Sequence, residues 1–436
     1  MALPIVAVVG RPNVGKSTLV NRISQTGDAI VHEARGVTRD RSYHRGDWNG
    51  REFMLIDTGG IETGTNDPFA ESIKAQALVA TREADIIIAL VDGTTGVTPG
   101  DEEVARLLKR ARPPVFLVVN KMDTPNRDDE IHEFWSLGLG QPWPVSATHG
   151  HGTGDLLDAV VALLPDTEPH QESGAIDVAI IGKPNAGKSS LLNRLTGVDR
   201  AIVSETAGTT RDTLDVLVDR GGTAYRFVDT AGIRRKARID QDVEYYGFVR
   251  AMRAIDRADV ALLVVDATEG ITDQDQRVAR FAAERGCGLI IVFNKWDIVD
   301  GQEWRDEIEY QLTDRLGFVS YAPVVRVSAL TGLRANKVFQ AIDTAWEGYT
   351  REISTSALNR VLTEMREFGH TVTKGPRTLR INYMTQTRTK PPGFTLFANH
   401  PSLADDSFRR YVENRLRDAF DLTGTPIMLK FKSKDT

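Results

Sequence analysis

Apolar runs of strand length recur along this chain, and between them apolar residues return at helical spacing. Ile5 to Val9, Ile86 to Val91 and Val115 to Val119 read as buried parallel strands, matched later by Val178 to Ile181, Val260 to Val265 and Leu289 to Phe293. Two alternating runs in each half, Ser42 to Trp48 with Phe53 to Ile56 and Thr213 to Asp219 with Tyr225 to Val228, are joined by Asn-Gly or Gly-Gly. That is a hairpin signal, and it predicts one antiparallel strand at the edge of each sheet. The expected fold is a doubly wound, mostly parallel α/β sheet, present twice. Beyond a helix over Asn336 to Arg351 the pattern changes. Leu358 to Phe368 and Phe408 to Phe420 read as helices, and Thr378 to Met384, Phe394 to Ala398 and Ile427 to Phe431 as strands of a small α+β module.

The chain repeats itself. Gly10-Arg-Pro-Asn-Val-Gly-Lys-Ser17 returns 172 positions later as Gly182-Lys-Pro-Asn-Ala-Gly-Lys-Ser189. The same shift relates Gly36-Val-Thr-Arg-Asp40 to Gly208-Thr-Thr-Arg-Asp212, and Asp57-Thr-Gly-Gly60 to Asp229-Thr-Ala-Gly232. Asn120-Lys-Met-Asp123 and Asn294-Lys-Trp-Asp297 follow at a shift of 174, and Ser146-Ala147 and Ser328-Ala329 at 182. Repeats this long are whole domains. The polar stretch PDTEPHQESGAID between Pro165 and Asp177 reads as their linker. Expected limits are residues 1–165 and 177–353 for the two copies, 166–176 for the linker and 354–436 for the last module.

Each motif carries a physical requirement. The pattern G-x-x-x-x-G-K-[ST] lies between a predicted strand and a predicted helix in both copies, the context of a phosphate-binding loop. Gly10 and Gly15, with Gly182 and Gly187, let backbone N–H groups wrap phosphates, and the helix points its positive end at them. Lys16 and Lys188 reach the terminal phosphates as catalytic cations, Ser17 and Ser189 ligate Mg²⁺, and Thr18 and Ser190 continue the loop. Asp57 and Asp229 suit a carboxylate that holds the Mg²⁺ shell, with Gly60 and Gly232 in turns able to sense a third phosphate. Thr38 and Thr210 are candidates to close a hydroxyl onto the same metal, although Thr209 competes with its neighbour. Asn-Lys-x-Asp turns a nucleotide site into one that selects guanine. Asp123 and Asp297 accept two hydrogen bonds from guanine N1–H and the 2-amino group, which adenine cannot supply. Asn120 and Asn294 brace the loop, Lys121 and Lys295 lie along the base, and Ser146-Ala147 and Ser328-Ala329 offer backbone N–H groups to the base oxygen.

Composition narrows the setting. With 41% hydrophobic and 26% charged residues the chain is ordinary globular protein, and its longest apolar runs fall far below the roughly 18 residues of a membrane span. The opening MALPIVAVVG has no basic region before its apolar run, so no secretory leader is expected. The lone Cys287 excludes an intrachain disulfide and reads as a buried filler. The expected location is the cytoplasm, and a monomer is expected. Net charge is −6, but from Thr355 onward 14 Lys and Arg face 8 Asp and Glu. That tail is therefore about +6 against about −12 elsewhere, pointing to an acidic partner for the basic end. His149 and His151 lie in a Gly-rich loop without acidic or thiol partners at ligand spacing, and read as loop histidines.

These motifs, in this order, resemble the translation-factor-like branch of P-loop GTPases, and the tandem arrangement with a C-terminal α+β module is similar to the Der (EngA) family. The resemblance covers essentially the whole chain. It implies a cytoplasmic bacterial GTPase acting in assembly of the large ribosomal subunit, with a last domain of KH-like fold packed against the GTPase domains and an rRNA contact as one option. Asn13 and Asn185 resemble the asparagine that holds an activating K⁺ in related GTPases. Ile61 and Ile233 stand where Ras-like enzymes carry a water-orienting glutamine, so slow hydrolysis faster in K⁺ than in Na⁺ is expected. Arg35, Arg39 and Arg211 are solvated loop charges or fingers acting in cis. The last module lacks the Gly-x-x-Gly clamp of KH domains, its nearest stretch being Lys374-Gly-Pro-Arg377. Arg388, Lys390, Arg409, Arg410, Lys430, Lys432 and Lys434 therefore serve RNA phosphates, form a solvated basic face, or dock on the acidic body of the chain itself. A nucleic-acid-modifying enzyme and a scaffold with one purely structural nucleotide site are the alternatives.

Overall fold

The computed structural model describes residues 3–25, 43–58, 77, 80–81, 84–123, 128–165, 174–198, 201–202, 215–230, 243–367, 372–374 and 377–433. The chain divides into two compact units, Met1–Pro169 and His170–Thr436.

In the first unit the strands β1 (Ile5–Val9), β2 (Tyr43–Trp48), β3 (Arg51–Asp57), β4 (Ile86–Asp92), β5 (Val115–Asn120) and β6 (Pro142–Pro144) form one sheet in the order β2-β3-β1-β4-β5-β6. All neighbours are parallel except β2 and β3. The hairpin strand thus sits at the edge, where the Asn49-Gly50 turn leaves it. Helices α1 (Lys16–Gln25), α2 (Pro99–Leu108) and α3 (Thr153–Leu163) flank the sheet. Strands β1 and β4 are buried along their whole length because helices cover both faces, which is why they are continuous apolar runs. The last strand escapes that pattern. Pro142-Trp143-Pro144 has no apolar run, and its prolines are tolerated because it lies at the sheet edge, where one side needs no N–H donor.

The second unit repeats this plan with β7 (Ile176–Ile181), β8 (Ala201–Ile202), β9 (Val216–Arg220), β10 (Thr223–Val228), β11 (Val260–Asp266), β12 (Gly288–Asn294) and β13 (Val324–Arg326), ordered β13-β12-β11-β7-β10-β9-β8. The expectation of one antiparallel edge strand needs correction here. Two-residue β8 pairs antiparallel outside β9, too short to leave a periodic signal. Helices α4 (Lys188–Val198), α5 (Val243–Arg257), α6 (Asp273–Glu284), α7 (Gln302–Leu316) and α8 (Asn336–Thr350) accompany the sheet. Cys287 is buried beside β12, where burial pushes its thiol well above the usual range.

The last module follows in the same unit. After α9 (Thr355–Glu367) comes a ribbon of β14 (Thr373–Lys374) and β15 (Arg377–Thr378), then β16 (Ile381–Arg388), β17 (Gly393–Ala398), α10 (Asp406–Phe420) and β18 (Met428–Ser433). β17 pairs antiparallel with β16 and parallel with β18. The helices close one face of that sheet over a core that includes Leu358, Leu362, Met384, Phe394, Leu396, Val412 and Leu416. The strand expected from Thr378 starts at Ile381, because Thr378 belongs to the preceding ribbon.

This module is docked on the second α/β fold. The Leu289 N–H donates to Gly424 O at 2.8 Å, and the Gly424 N–H to Tyr321 O at 2.8 Å. Thr425 Oγ1 donates to Ala345 O at 2.9 Å, and the Lys390 N–H to Tyr349 O at 3.0 Å. Gly424 has φ 72° and lies so close to α8 that a Cβ there would stand 2.6 Å from that of Ala345. The open choice between an RNA-facing and an internally docked module is thus partly decided: the module is docked, through backbone and small residues. The basic side chains of Arg410, Lys430 and Lys432 remain exposed.

Candidate nucleotide sites

Both phosphate loops leave the C-terminal end of the central strand of their sheets, β1 and β7, and enter α1 and α4. The turn requires left-handed backbone: Asn13 and Gly15 have φ 66° and 96°, Asn185 and Gly187 61° and 92°. Asparagine tolerates this region better than most residues, and glycine without strain. A second constraint falls on the glycines. A Cβ on Gly15 would run into the amide nitrogen of Asn120, and one on Gly187 into that of Asn294.

Those asparagines are the hubs of the two sites. Asn120 Nδ2 donates to Val14 O at 2.7 Å, and Asn120 Oδ1 accepts the Ala147 N–H at 3.0 Å. In the second copy Asn294 Nδ2 donates to Ala186 O at 2.9 Å and Oδ1 accepts the Ala329 N–H at 2.9 Å. Each buried amide therefore ties the loop after the first strand of its copy to the Ser-Ala loop. A second tie comes from the helix after the phosphate loop. Arg22 Nε donates to Ala147 O at 3.1 Å, and Arg194 Nε to Ala329 O at 3.0 Å.

Lys16 Nζ donates to Gly10 O at 2.7 Å and Arg11 O at 2.9 Å; Lys188 Nζ donates to Gly182 O at 2.8 Å and Lys183 O at 2.6 Å. Burial pushes both ammonium groups down to about 8, against the pull of Asp57 on Lys16 and of Asp275 on Lys188. Ser17 Oγ donates to Asp57 Oδ2 at 2.5 Å. A hydroxyl beside a carboxylate is a hard-oxygen pair, the donor chemistry that suits Mg²⁺. Ser189, Thr18 and Ser190 are exposed at the loop mouths, and Asp229 takes φ 54° with its N–H donating to Asp215 Oδ1 at 3.1 Å.

At the guanine end Asp123 and Asp297 are both exposed, and Ser146 Oγ donates to Asp123 Oδ1 at 2.6 Å. Ser328 Oγ accepts the Thr331 N–H at 3.1 Å, as Ser146 Oγ accepts that of His149 at 3.1 Å. The histidine loop is thus a turn built on Ser146, and the His151 carbonyl accepts the Ser146 N–H. Lys121 and Lys295 take left-handed backbone and donate to Asp92 Oδ2 at 2.6 Å and Asp266 Oδ2 at 2.5 Å. Burial alone would raise these two carboxyls. The lysines and the paired donors of Thr94 and Thr268 outweigh it and hold both below the usual range.

Thr38, Gly60, Thr210 and Gly232 lie outside the described residues, as do Arg35, Arg39, Ile61, Thr209, Arg211, Ile233 and Lys434. Residues not expected from the motifs also enter the sites: Arg22 and Arg194, Asp92 and Asp266, and the cations Arg11 and Lys183. A signal for them existed, since all three pairs keep the register of the repeat.

The comparisons agree with this duplication. A family model described as a 50S ribosome-binding GTPase matches residues 5–121 and again 177–295, and one described as the KH-domain-like C-terminal part of EngA bacterial GTPases matches 352–432. Similar curated proteins include the GTPase Der of Moorella thermoacetica, 48% identical over 99% of this chain and 99% of that protein. The GTPases Der of Heliobacterium modesticaldum and Nostoc punctiforme are each 47% identical over 100% of this chain, covering 99% and 96% of their own lengths. With two guanine-nucleotide sites of one design, a docked KH-like module and relatives of this similarity along its whole length, the chain belongs to the Der family of GTPases.

Proposed function

We propose that this GTPase is a switch in assembly of the large ribosomal subunit, with GTP and Mg²⁺ bound at both sites. The observation that carries the two-site reading is the same brace through Asn120 and Asn294 in each copy, which supports a frame for phosphate and base at both. In this reading Gly10, Gly15, Lys16, Ser17 and Thr18, with their counterparts Gly182, Gly187, Lys188, Ser189 and Ser190, hold the phosphates. Ser17, Thr38 and Asp57, with Ser189, Thr210 and Asp229, hold Mg²⁺, which neutralises charge on the transferring phosphate. Asn120, Lys121, Asp123, Ser146 and Ala147 receive guanine in the first site, and Asn294, Lys295, Asp297, Ser328 and Ala329 in the second. Gly60 and Gly232 lie in turns that respond to the third phosphate. The working domains are 1–165, 177–353 and 354–436.

Asn13 and Asn185 stand exposed on the left-handed corner of each loop, a position that supports a role as K⁺ ligands during hydrolysis. Turnover in K⁺ and in Na⁺ at equal ionic strength tests this, and equal rates would remove the K⁺ role. The ribosomal part of the reading is supported by the family description. Its test is co-sedimentation of the monomeric protein with purified ribosomal subunits at fixed salt, comparing GDP with a non-hydrolysable GTP analogue. Binding to the large subunit with the analogue alone is expected; binding to neither subunit in either state would end the ribosomal reading and leave the GTPase chemistry standing. Among the described residues no helix is long and apolar enough to cross a membrane.

A further inference from the structure

The residue after the first glycine of each phosphate loop is a cation turned inward, Arg11 with its side chain 17% exposed and Lys183 with 10%. Each faces a buried aspartate on the helix that follows the neighbouring strand of the sheet, β4 or β11. Asp101 and Asp275 occupy the third positions of α2 and α6, where one oxygen closes a capping box with Thr98 or Thr272. The other oxygen, Oδ1, is buried without a hydrogen-bond partner in both copies. A half-satisfied buried carboxylate is costly unless a cation stands over it. In the first copy Arg11 Nε lies 3.5 Å from Asp101 Oδ1, and in the second the Lys183 charge counters the burial that pushes the Asp275 carboxyl up.

Beyond this shared feature the copies diverge. The arginine fork has a second arm, and Arg11 NH2 lies 3.8 Å from Asp92 Oδ2, the same oxygen that receives Lys121 Nζ at 2.6 Å. Arg11 also donates to Thr95 Oγ1. Lysine is a point charge with no second arm. Lys183 is taken by Glu269, at the position equivalent to Thr95, and Asp266 is left to Lys295 at 2.5 Å.

We propose that Arg11 is a positioning residue that couples the phosphate loop of the first site to its guanine loop through Asp92, and that the second site, built with Lys183, lacks this coupling. The inference rests on both sites binding guanine nucleotide and is independent of any ribosomal role. In the first site loss of Lys121 leaves Arg11 as the cation at Asp92 Oδ2, and loss of the Arg11 arm leaves Lys121 there, while Thr94 holds Oδ1 throughout. The two changes therefore cannot act independently. In the second site the corresponding cations have different carboxylate partners, so they act separately.

A double-mutant cycle on GDP affinity reads this directly. Each site is titrated with a fluorescent GDP analogue in the full chain carrying Asp297→Asn or Asp123→Asn at the other site; both aspartates are exposed, so neither change disturbs a core. The first cycle combines Arg11→Lys, which keeps the charge and installs the residue the second copy folds with, and Lys121→Met, which keeps the stem. The second combines Lys183→Met and Lys295→Met. In the first site the double variant should depart at least threefold from the product of the single losses; in the second it should match that product within twofold. A merely structural Arg11 would give multiplicative losses in the first site, and that result overturns the proposal, as does equal coupling in both sites. Absence of GDP binding before any Arg11 or Lys121 change would instead refute the guanine-nucleotide reading on which the cycle stands.

Discussion

Replacing Asn120 by alanine should weaken the first site although the side chain is buried between its loops. The side chain makes two hydrogen bonds across separate loops, to Val14 O at 2.7 Å and from the Ala147 N–H at 3.0 Å, and it is 3% exposed. Removing it leaves a buried carbonyl without this donor and a buried N–H without its acceptor, at roughly 1–3 kcal/mol for each. A water entering the space left by the amide recovers part of this, so the combined cost is about 2–4 kcal/mol. Expressed wholly in nucleotide affinity this is about 30- to 700-fold, since 1.4 kcal/mol is a factor of ten. Expressed wholly in folding it lowers the unfolding midpoint of the first unit by roughly 4–16 °C. Titration with a fluorescent GDP analogue in the Asp297→Asn chain and calorimetric unfolding together capture both shares. Asn120→Asp keeps an acceptor for Ala147 but turns a carboxylate oxygen toward the Val14 carbonyl, and should be at least as damaging. If Asn120→Ala changes GDP affinity less than threefold and moves the transition by less than about 1 °C, the brace contributes nothing and the reasoning is wrong.

Three further outcomes follow from the same geometry. Asn294→Ala should reproduce the loss in the second site and leave the first intact, so GDP stoichiometry by calorimetric titration falls from two to one; a loss at both sites would contradict independent frames. Lys16 and Lys188 release their protons near pH 8 in the nucleotide-free protein, while bound phosphates favour the ammonium form, so GDP affinity should be flat below pH 8 and fall above it by up to tenfold per unit. For stability the sign is opposite: the unfolded lysines keep their protons up to 10.5, so the nucleotide-free fold gains stability as pH rises from 8 toward 10.5, and a GDP affinity unchanged from pH 7 to 9.5 would rule out the lowered lysines. Gly424→Ala places a methyl against Ala345 at a left-handed φ and should separate the unfolding of the C-terminal module from that of the second GTPase fold; a single unchanged transition would show that the close approach is not needed.

The parts of this protein legible in its sequence are those whose chemistry dictates residue type and spacing together. A backbone that must wrap phosphates needs glycine at Gly15, and a loop that must reject adenine needs Asp123 at a fixed distance from Asn120. The covered central strands are legible because burial on both faces leaves nothing but apolar residues. Pairwise electrostatics is the level that was missed. Asp92, Asp101 and Arg22 belong to none of the motifs, and only the folded register brings Asp92 to Lys121 or Arg22 to Ala147. The dock was undecided for a different reason: its hydrogen bonds run between the backbones of Leu289, Gly424 and Tyr321, which no side-chain pattern records. Of the basic residues that drew attention to the module, Lys390 takes part, through its N–H on Tyr349 O and its ammonium 5.1 Å from the Trp346 ring centroid, while Arg410, Lys430 and Lys432 stay exposed.

The position of that dock limits how a nucleotide signal in the second site can travel. Strands β7, β11 and β12 present their C-terminal ends to the nucleotide, as open α/β sheets do. The module instead bonds to Leu289, at the start of β12, while Asn294 ends the same strand. At about 3.3 Å per residue the two points are roughly 17 Å apart along a fully buried strand. A close-packed strand is nearly incompressible, so a loop rearrangement at one end reaches the other only as a displacement of the whole sheet. The bonds to Ala345 and Tyr349 likewise come from the C-terminal half of α8, away from the Ser-Ala loop that precedes this helix. The KH-like module is therefore expected to move with the second GTPase fold as one body, and in the proposed switch the loops at the strand ends carry the nucleotide signal. The exposed Arg410, Lys430 and Lys432 then keep one fixed relation to the second nucleotide in either state, so an anionic partner held by them would experience the switch only where it also reaches those loops.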